Sequence, residues 1–284
     1  MGKTEIGWTD YSLNPGIYGC EVVSPACTNC YAASMAKRLG SMGQASYAGL
    51  TRDRKGAPAT WTGEVRVDFD AIGPAFAKLP KKKPFRAFVT SMADLFHPSI
   101  PDFFIVRVFD EMRMRPHGTF QVLTKRIERV APWWPLAGLA EWPANVWMGT
   151  TVEDQRRADE RVPALLRVPA RVRFLSVEPM LGPVDLRGLS WRFGYYDALT
   201  GTDVELPTGR IDSTDGPRIS WVIAGCESGP NRRSTDRAWV RSLRDQCAAA
   251  GVPFFLKQLT DGADAVESAP MLDGRRHLAF PATP

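Results

Sequence analysis

Six short apolar runs, each turning polar at its C-terminal end, constrain this chain more than any other feature. They are "PFRAFVTSMAD" (84–94), "TFQVLTKR" (119–126), "NVWMGTTVED" (145–154), "VRFLSVEPML" (172–181), "ISWVIAGCESG" (219–229) and "VPFFLKQL" (252–259). Helix-like segments lie near 31–39, 101–115, 155–167 and 236–250, and a shorter strand candidate near 8–13 comes before the first of them. Strands alternating with helices argue for parallel strands joined by crossover helices. The polar ends repeat in register: Thr90, Ser91 and Asp94; Thr124 and Lys125; Thr151 and Glu153; Ser176 and Glu178; Glu227 and Ser228; Lys257 and Gln258. In a parallel sheet or barrel the carboxyl ends of the strands carry the chemistry. The expectation is therefore an α/β fold with one polar mouth.

At 284 residues the chain is long enough for a sizeable core, and no run is apolar enough to span a membrane. The start, "MGKTEIGWTDYS", lacks the apolar core of a secretory signal, so a cytoplasmic protein is expected. We expect a single domain over 1–284, with insertions at 41–67 and 187–217 where turn residues interrupt the alternation. A loop or small hairpin is expected in the first and a hairpin around "DALTGTD" in the second. The net charge is +5, with arginine-rich stretches such as "LTKRIERV" and "NRRSTDRAWVRSLR". Such clusters are either solvated helix faces or an electrostatic footprint for a polyanion.

The stretch "GCEVVSPACTNCYA" sets Cys20, Cys27 and Cys30 between the first strand candidate and the first helix. A closed structural zinc site takes four N or S ligands. Downstream lie only the separate Cys226, Cys247, His97, His117 and His277, with no second pair among them. Zinc with one distant ligand, or a disulfide with a spare thiol, are two ways to use such a loop. The third is an iron–sulfur cubane on three thiolates, which leaves one iron open to a small molecule. In radical chemistry that molecule is S-adenosyl-L-methionine.

The ordered set "GC…SPACTNCYA", "SMADLFHP", "LTKR", "TTVED", "LSVEPMLGPVDL" and "WVIAGCESGPNRR" resembles a phage-associated, radical SAM-like protein family with a three-cysteine motif, distantly similar to spore photoproduct lyases. The resemblance spans roughly residues 5–260. It departs from the common C-x3-C-x2-C radical SAM spacing, because the first gap here is six residues. It implies a partial (β/α) barrel of about six to seven parallel strands, with a [4Fe-4S] cluster on Cys20, Cys27 and Cys30.

The resemblance also distributes roles around the mouth. Ser91 and Asp94 fall where the methionine ammonium is handled, although Asp94 serves equally as the cap of the following turn. Lys125 suits the methionine carboxylate; Arg126 and Arg129 either share that task or are ordinary exposed helix charges. Thr151 and Glu153 fall at the ribose contacts, Ser176 and Glu178 deeper toward cofactor or substrate, and Glu227 at a glycine-rich strand end. Tyr31 either stacks on adenine or packs the first helix. Cys226 is either a hydrogen donor to a substrate radical or a small buried residue, Cys247 is structural, and His97 is either a substrate contact or a satisfied structural histidine.

The function this implies is hydrogen abstraction by a 5′-deoxyadenosyl radical from a small-molecule or nucleic-acid substrate, a base or nucleotide above all, with flavodoxin or ferredoxin as electron donor. The alternatives are a non-catalytic zinc or iron–sulfur protein that binds nucleic acid or a protein partner, and a hydrolase using the mouth carboxylates alone.

Overall fold

The structure, a computed structural model, describes residues 2–139, 141–191, 194–205, 211–229, 231–260 and 265–282. The chain divides into two compact units, 1–147 with 227–232, and 148–226 with 233–284.

In the first unit the leading elements are β1 (Tyr11–Leu13), α1 (Tyr31–Ser41), α2 (Ile72–Ala77), β2 (Phe85–Val89), α3 (Asp102–Arg113), β3 (Gly118–Thr124) and α4 (Val130–Leu136). β1 pairs with β2 in parallel (Leu13 opposite Val89), and β2 pairs with β3 in parallel (Val89 opposite Val122). Residues Gly2–Lys3 add a short antiparallel edge to β1. Helix α3 starts after Pro101, with Asp102 in its first turn, and buries Phe104, Ile105, Val108, Phe109 and Met112 at helical spacing. Phe109 meets Trp133 of α4 and Trp142, with ring centroids 5.1 and 5.3 Å apart. Burying each such side chain contributes about 1.5–3 kcal/mol, so this face holds α3 in place. Residues 51–61 form a two-stranded antiparallel hairpin, Thr51–Arg54 against Ala57–Trp61.

The second unit takes most of β4 (Val146–Thr151), then α5 (Gln155–Leu166), β5 (Arg173–Val177), β6 (Trp221–Gly225), α6 (Arg237–Ala249) and β7 (Phe254–Thr260). The β4–β5, β5–β6 and β6–β7 pairs are all parallel. All six residues of β4 and all five of β6 are buried, which explains why these strands read as continuous apolar runs. Gly149 makes room for the Phe174 ring, which a Cβ there would meet at 2.5 Å. Helices α5 and α6 begin at Asp154 and Asp236, whose carboxylates accept from the Arg157 and Ala238 N–H groups. Between β5 and β6 the chain forms a four-stranded antiparallel sheet, Leu189–Trp191, Gly194–Asp197, Thr202–Glu205 and Ile211–Ser213. The hairpin expected at "DALTGTD" is the second of its turns.

Among the described residues, three strands of the first unit and four of the second run parallel to a neighbour, within the six to seven expected. The fold class is α/β, of the partial (β/α) barrel kind.

Candidate metal centre

The cysteine loop is built by turns that fix it at both ends. Beyond β1, the Asn14 side chain accepts from the Gly16 and Ile17 N–H groups and donates to the Ile17 carbonyl at 2.8 Å. Ile17–Tyr18 then pairs antiparallel with Arg66–Val67. Gly19, at φ +92°, lies so close to that segment that a Cβ would fall 2.1 Å from the Glu64 carbonyl oxygen. Cys20 follows directly. Pro25–Cys27 forms one 3-10 turn, and Cys30 is the N-cap residue of α1. The Cys30 side chain accepts no helix N–H, so its sulfur stands at the positive end of α1 without serving as a cap. None of the three cysteines is in a disulfide. Cys20 and Cys30 rest on an apolar cluster that includes Ala33, Ala36, Tyr47, Leu50 and Trp61.

An ionic network lies beside Cys20. Asp94 is buried, and its carboxylate accepts from the Phe96 N–H, the Thr124 hydroxyl (2.6 Å), the Lys125 N–H and Arg126 Nη1 (2.9 Å). Arg126 Nη2 reaches Glu21 Oε1 at 2.8 Å. His97 accepts from the Ser99 N–H at Nδ1, while its Nε2 is 3.7 Å from Glu21 Oε1, beyond hydrogen-bond reach. Burial pushes the Cys20 thiol up to about 12; Asp94 adds to the rise, Arg126 opposes it, and Cys27 and Cys30 add to it again. The Arg126 hydrogen bond holds the Glu21 carboxyl below its usual range. Burial would lower the Arg126 guanidinium, but Asp94, Glu21 and Cys20 more than offset it and leave it raised. Burial and the Arg126 charge hold His97 below the usual imidazole range.

The other expected residues of the first unit gather at the same strand ends. Thr90 takes φ +64°, a left-handed conformation that a β-branched residue rarely adopts, and starts the turn that carries Ser91. The Ser91 carbonyl accepts from the Tyr31 hydroxyl at 2.6 Å, and its own hydroxyl is 2.5 Å from that of Ser12. Tyr31 is 45% exposed, so it is not core packing for α1. Lys125 is half-buried, and among the described residues no bond to its Nζ is seen. Arg126 is buried, not an exposed helix charge, and Arg129 binds the His97 and Ile100 carbonyls and Asp102. Glu227, also buried, accepts from Asn29 Nδ2 at 3.0 Å, and Asn29 donates at 2.8 Å to the Asn231 carbonyl. Asn29 is the residue before Cys30, so this contact braces the cysteine loop.

In the second unit the expected residues fall into two buried groups. Glu153 pairs with Arg161 at 3.0 Å, and Arg161 also donates to the Thr151 carbonyl at 2.7 Å. The Ser176 hydroxyl donates to Glu178 Oε2 at 3.4 Å, and Lys257 Nζ stands 3.1 Å from Glu178 Oε1, an ion pair without hydrogen-bond alignment. Gly225 permits that approach, since a Cβ there would sit 2.9 Å from Glu178 Oε1. Cys226 is buried, its carbonyl bound by Gln258 Nε2 at 2.8 Å. Cys247 is fully buried on the inner face of α6.

Among the described residues, no three His, Cys, Asp or Glu side chains are grouped as one metal ion would need them. The donor set instead fits a larger group: three thiols of one loop, Cys20 and Cys30 on an apolar bed, Cys30 at a helix N-terminus, and a buried cation on Glu21, the residue after Cys20. Sequence reading missed Glu21, Asn29 and Asn231 as parts of this arrangement. Glu21 sits next to a cysteine, which is a signal; the Asn29 and Asn231 contacts span some two hundred residues and leave none.

No curated protein matches the sequence. Solved structures of spore photoproduct lyase are similar: one complexed with dinucleoside spore photoproduct (TM-score 0.49) and two single-site mutants (0.49 and 0.48). Each is 12% identical and covers 91% of this chain and 78% of its own. The family model described as "Protein of unknown function (DUF5131)" matches residues 3–281, across both units. The chain belongs to the DUF5131 family.

Proposed function

We propose that this protein is a radical S-adenosyl-L-methionine enzyme whose [4Fe-4S] cluster is held by Cys20, Cys27 and Cys30. The observation that carries the reading is the loop itself: three thiols outside any disulfide, the first held by the Gly19 approach, the second in a 3-10 turn, the last at the start of α1. When bound, the cluster supplies the electron that cleaves S-adenosyl-L-methionine to methionine and a 5′-deoxyadenosyl radical, which takes hydrogen from the substrate. The chain's own residues bind and orient. Lys125 pairs with the methionine carboxylate. The Ser91 turn, fixed by Thr90, Ser12 and Tyr31, presents polar groups to the ammonium, and the exposed Tyr31 ring offers a face to adenine. Asp94, its carboxylate already bound by four donors, holds that turn in place.

Glu227 stands beside the CxxC segment as a further cofactor contact. In the second unit, Thr151, Glu153 and Ser176 are assigned to the cofactor's ribose and deeper contacts, and Glu178, with Cys226, to the substrate. The substrate we assign is a nucleic-acid base or nucleotide, on the basic balance of the chain and its sequence resemblance. A cytoplasmic setting, bacterial or phage-infected, a flavodoxin or ferredoxin as electron donor, and one catalytic domain with insertions at 41–67 and 187–217 complete the reading. No helix among the described residues is long and apolar enough to cross a membrane.

Anaerobic reconstitution with iron and sulfide is expected to give a cubane cluster, and dithionite with S-adenosyl-L-methionine is expected to release 5′-deoxyadenosine. Cys20→Ala, Cys27→Ala and Cys30→Ala should each abolish cluster assembly, while Cys247→Ala should not. One tightly bound zinc and no 5′-deoxyadenosine would establish the non-catalytic alternative instead.

A further inference from the structure

We propose that Arg126 is the positioning residue of the first cluster ligand: a fixed cation that anchors the chain immediately after Cys20 and sets the reduction potential of a cluster bound there. This rests on the reading of the three cysteines as cluster ligands.

The six-residue gap poses a positioning problem. Cys27 and Cys30 are fixed by a 3-10 turn and by the start of α1, whereas Cys20 lies upstream on a loop. Gly19 holds one side of Cys20 against Glu64. On the other side Glu21 leaves 43% of its side chain exposed and would swing if nothing gripped it. Arg126 Nη2 grips it at 2.8 Å.

Arg126 is suited to that task because it cannot itself move. Only 6% of its side chain is exposed, and Nη1 is locked to Asp94. Asp94 is held in turn by the Phe96 and Lys125 N–H groups and the Thr124 hydroxyl. The ends of β2 and β3 thereby fix the loop that leaves β1.

The charge has a second effect. The groups facing Arg126 are Asp94, Glu21, His97 and Cys20, and only Arg126 among them is a permanent cation. Cluster potentials follow the net charge, hydrogen bonding and exposure around the sulfurs. A cation bound 2.8 Å from the carboxylate of the residue next to Cys20 favours the reduced, more negative cluster.

The test uses the full chain, wild type and the variants Arg126→Gln, Arg126→Lys and Glu21→Gln. Iron and sulfide content and the one-electron midpoint, titrated with dithionite as electron source, are read after anaerobic reconstitution. Amide exchange over residues 20–24 is read in the metal-free chains. Arg126→Gln should lower iron content several-fold, speed exchange over 20–24, and move the midpoint negative by at least a tenfold change in the reduced-to-oxidised ratio, about 59 mV. Arg126→Lys keeps the charge but not the fork, so content should fall while the midpoint of the remaining clusters holds. Glu21→Gln sits on a half-exposed side chain and so keeps the proposal testable if an Arg126 variant fails to fold. It should loosen 20–24 and move the midpoint positive. Wild-type exchange, content and midpoint in Glu21→Gln and in every folded Arg126 variant would overturn the proposal. A wild-type chain that takes up no cluster, yet loosens at 20–24 when Arg126 is replaced, would overturn the cluster reading and the potential while upholding the anchor.

Discussion

Asp94 shows how much one carboxylate can organise. Its four protein donors come from two strand ends, and its pair with Arg126 leaves each side chain less than a tenth exposed. Breaking a buried pair by removing one charge leaves the other uncompensated, at a cost of about 3–5 kcal/mol. Asp94→Asn is therefore expected to lower the unfolding free energy, measured by urea denaturation, by an amount of that order, and a change below about 1 kcal/mol would show the pair to be dispensable. The position of Asp94 at a strand end was legible in the sequence, because strand ends announce themselves by the loss of apolar residues. Its partners were not: Arg126 reads equally well as an exposed helix charge, since nothing local distinguishes a buried guanidinium from a solvated one. Tyr31 was ambiguous for the same reason. The left-handed Thr90 contradicts the preference of its residue type and can be seen only in the folded backbone.

Among the elements, the cysteine loop depends on a close approach of main chain to main chain. At Gly19 a side chain would meet both a positive φ, which costs about 1–2 kcal/mol, and the Glu64 carbonyl at 2.1 Å. Gly19→Ala is expected to separate Ile17–Tyr18 from Arg66–Val67 and to cut iron uptake several-fold. Far-ultraviolet circular dichroism should stay near wild type, because the strands beyond β1 do not use this contact; full iron uptake would refute the role. The six main strands were readable at their starts to within two residues, since strands buried on both faces must be apolar throughout, whereas the expected runs overshot most of their ends, by up to five residues. Helices α3, α5 and α6 were readable for a related reason: their buried faces recur at helical spacing. Helices α2 and α4 escaped notice because Pro74, Pro132 and Pro135 interrupt them, and proline ordinarily argues against a helix.

For the molecule as a whole, Cys247 gives a dependence on pH that stands apart from the cysteine loop. Burial raises its thiol from 9.0 to about 12. A group whose folded value is raised binds its proton more tightly in the native state. Its contribution is thus full below pH 9 and is lost as pH rises toward 12. One such group gives a loss of about 1.4 kcal/mol per pH unit within that window. Cys247→Ala should flatten the fall of stability between pH 9 and 12 by that slope, measured by urea unfolding of the metal-free chain; parallel curves would exclude it. The family match over 3–281 fits a chain whose alternation of strand and helix could be read nearly from end to end. Contacts between distant residues could not, and one of them bears on how the protein is made. Asn29, inside the CxxC segment, is braced by Glu227, 198 residues later. At about 5–20 residues per second, the ribosome reaches that partner some 10–40 s after the cysteines. For that interval the nascent cysteine loop waits without its brace, so it reaches its finished form only late in synthesis.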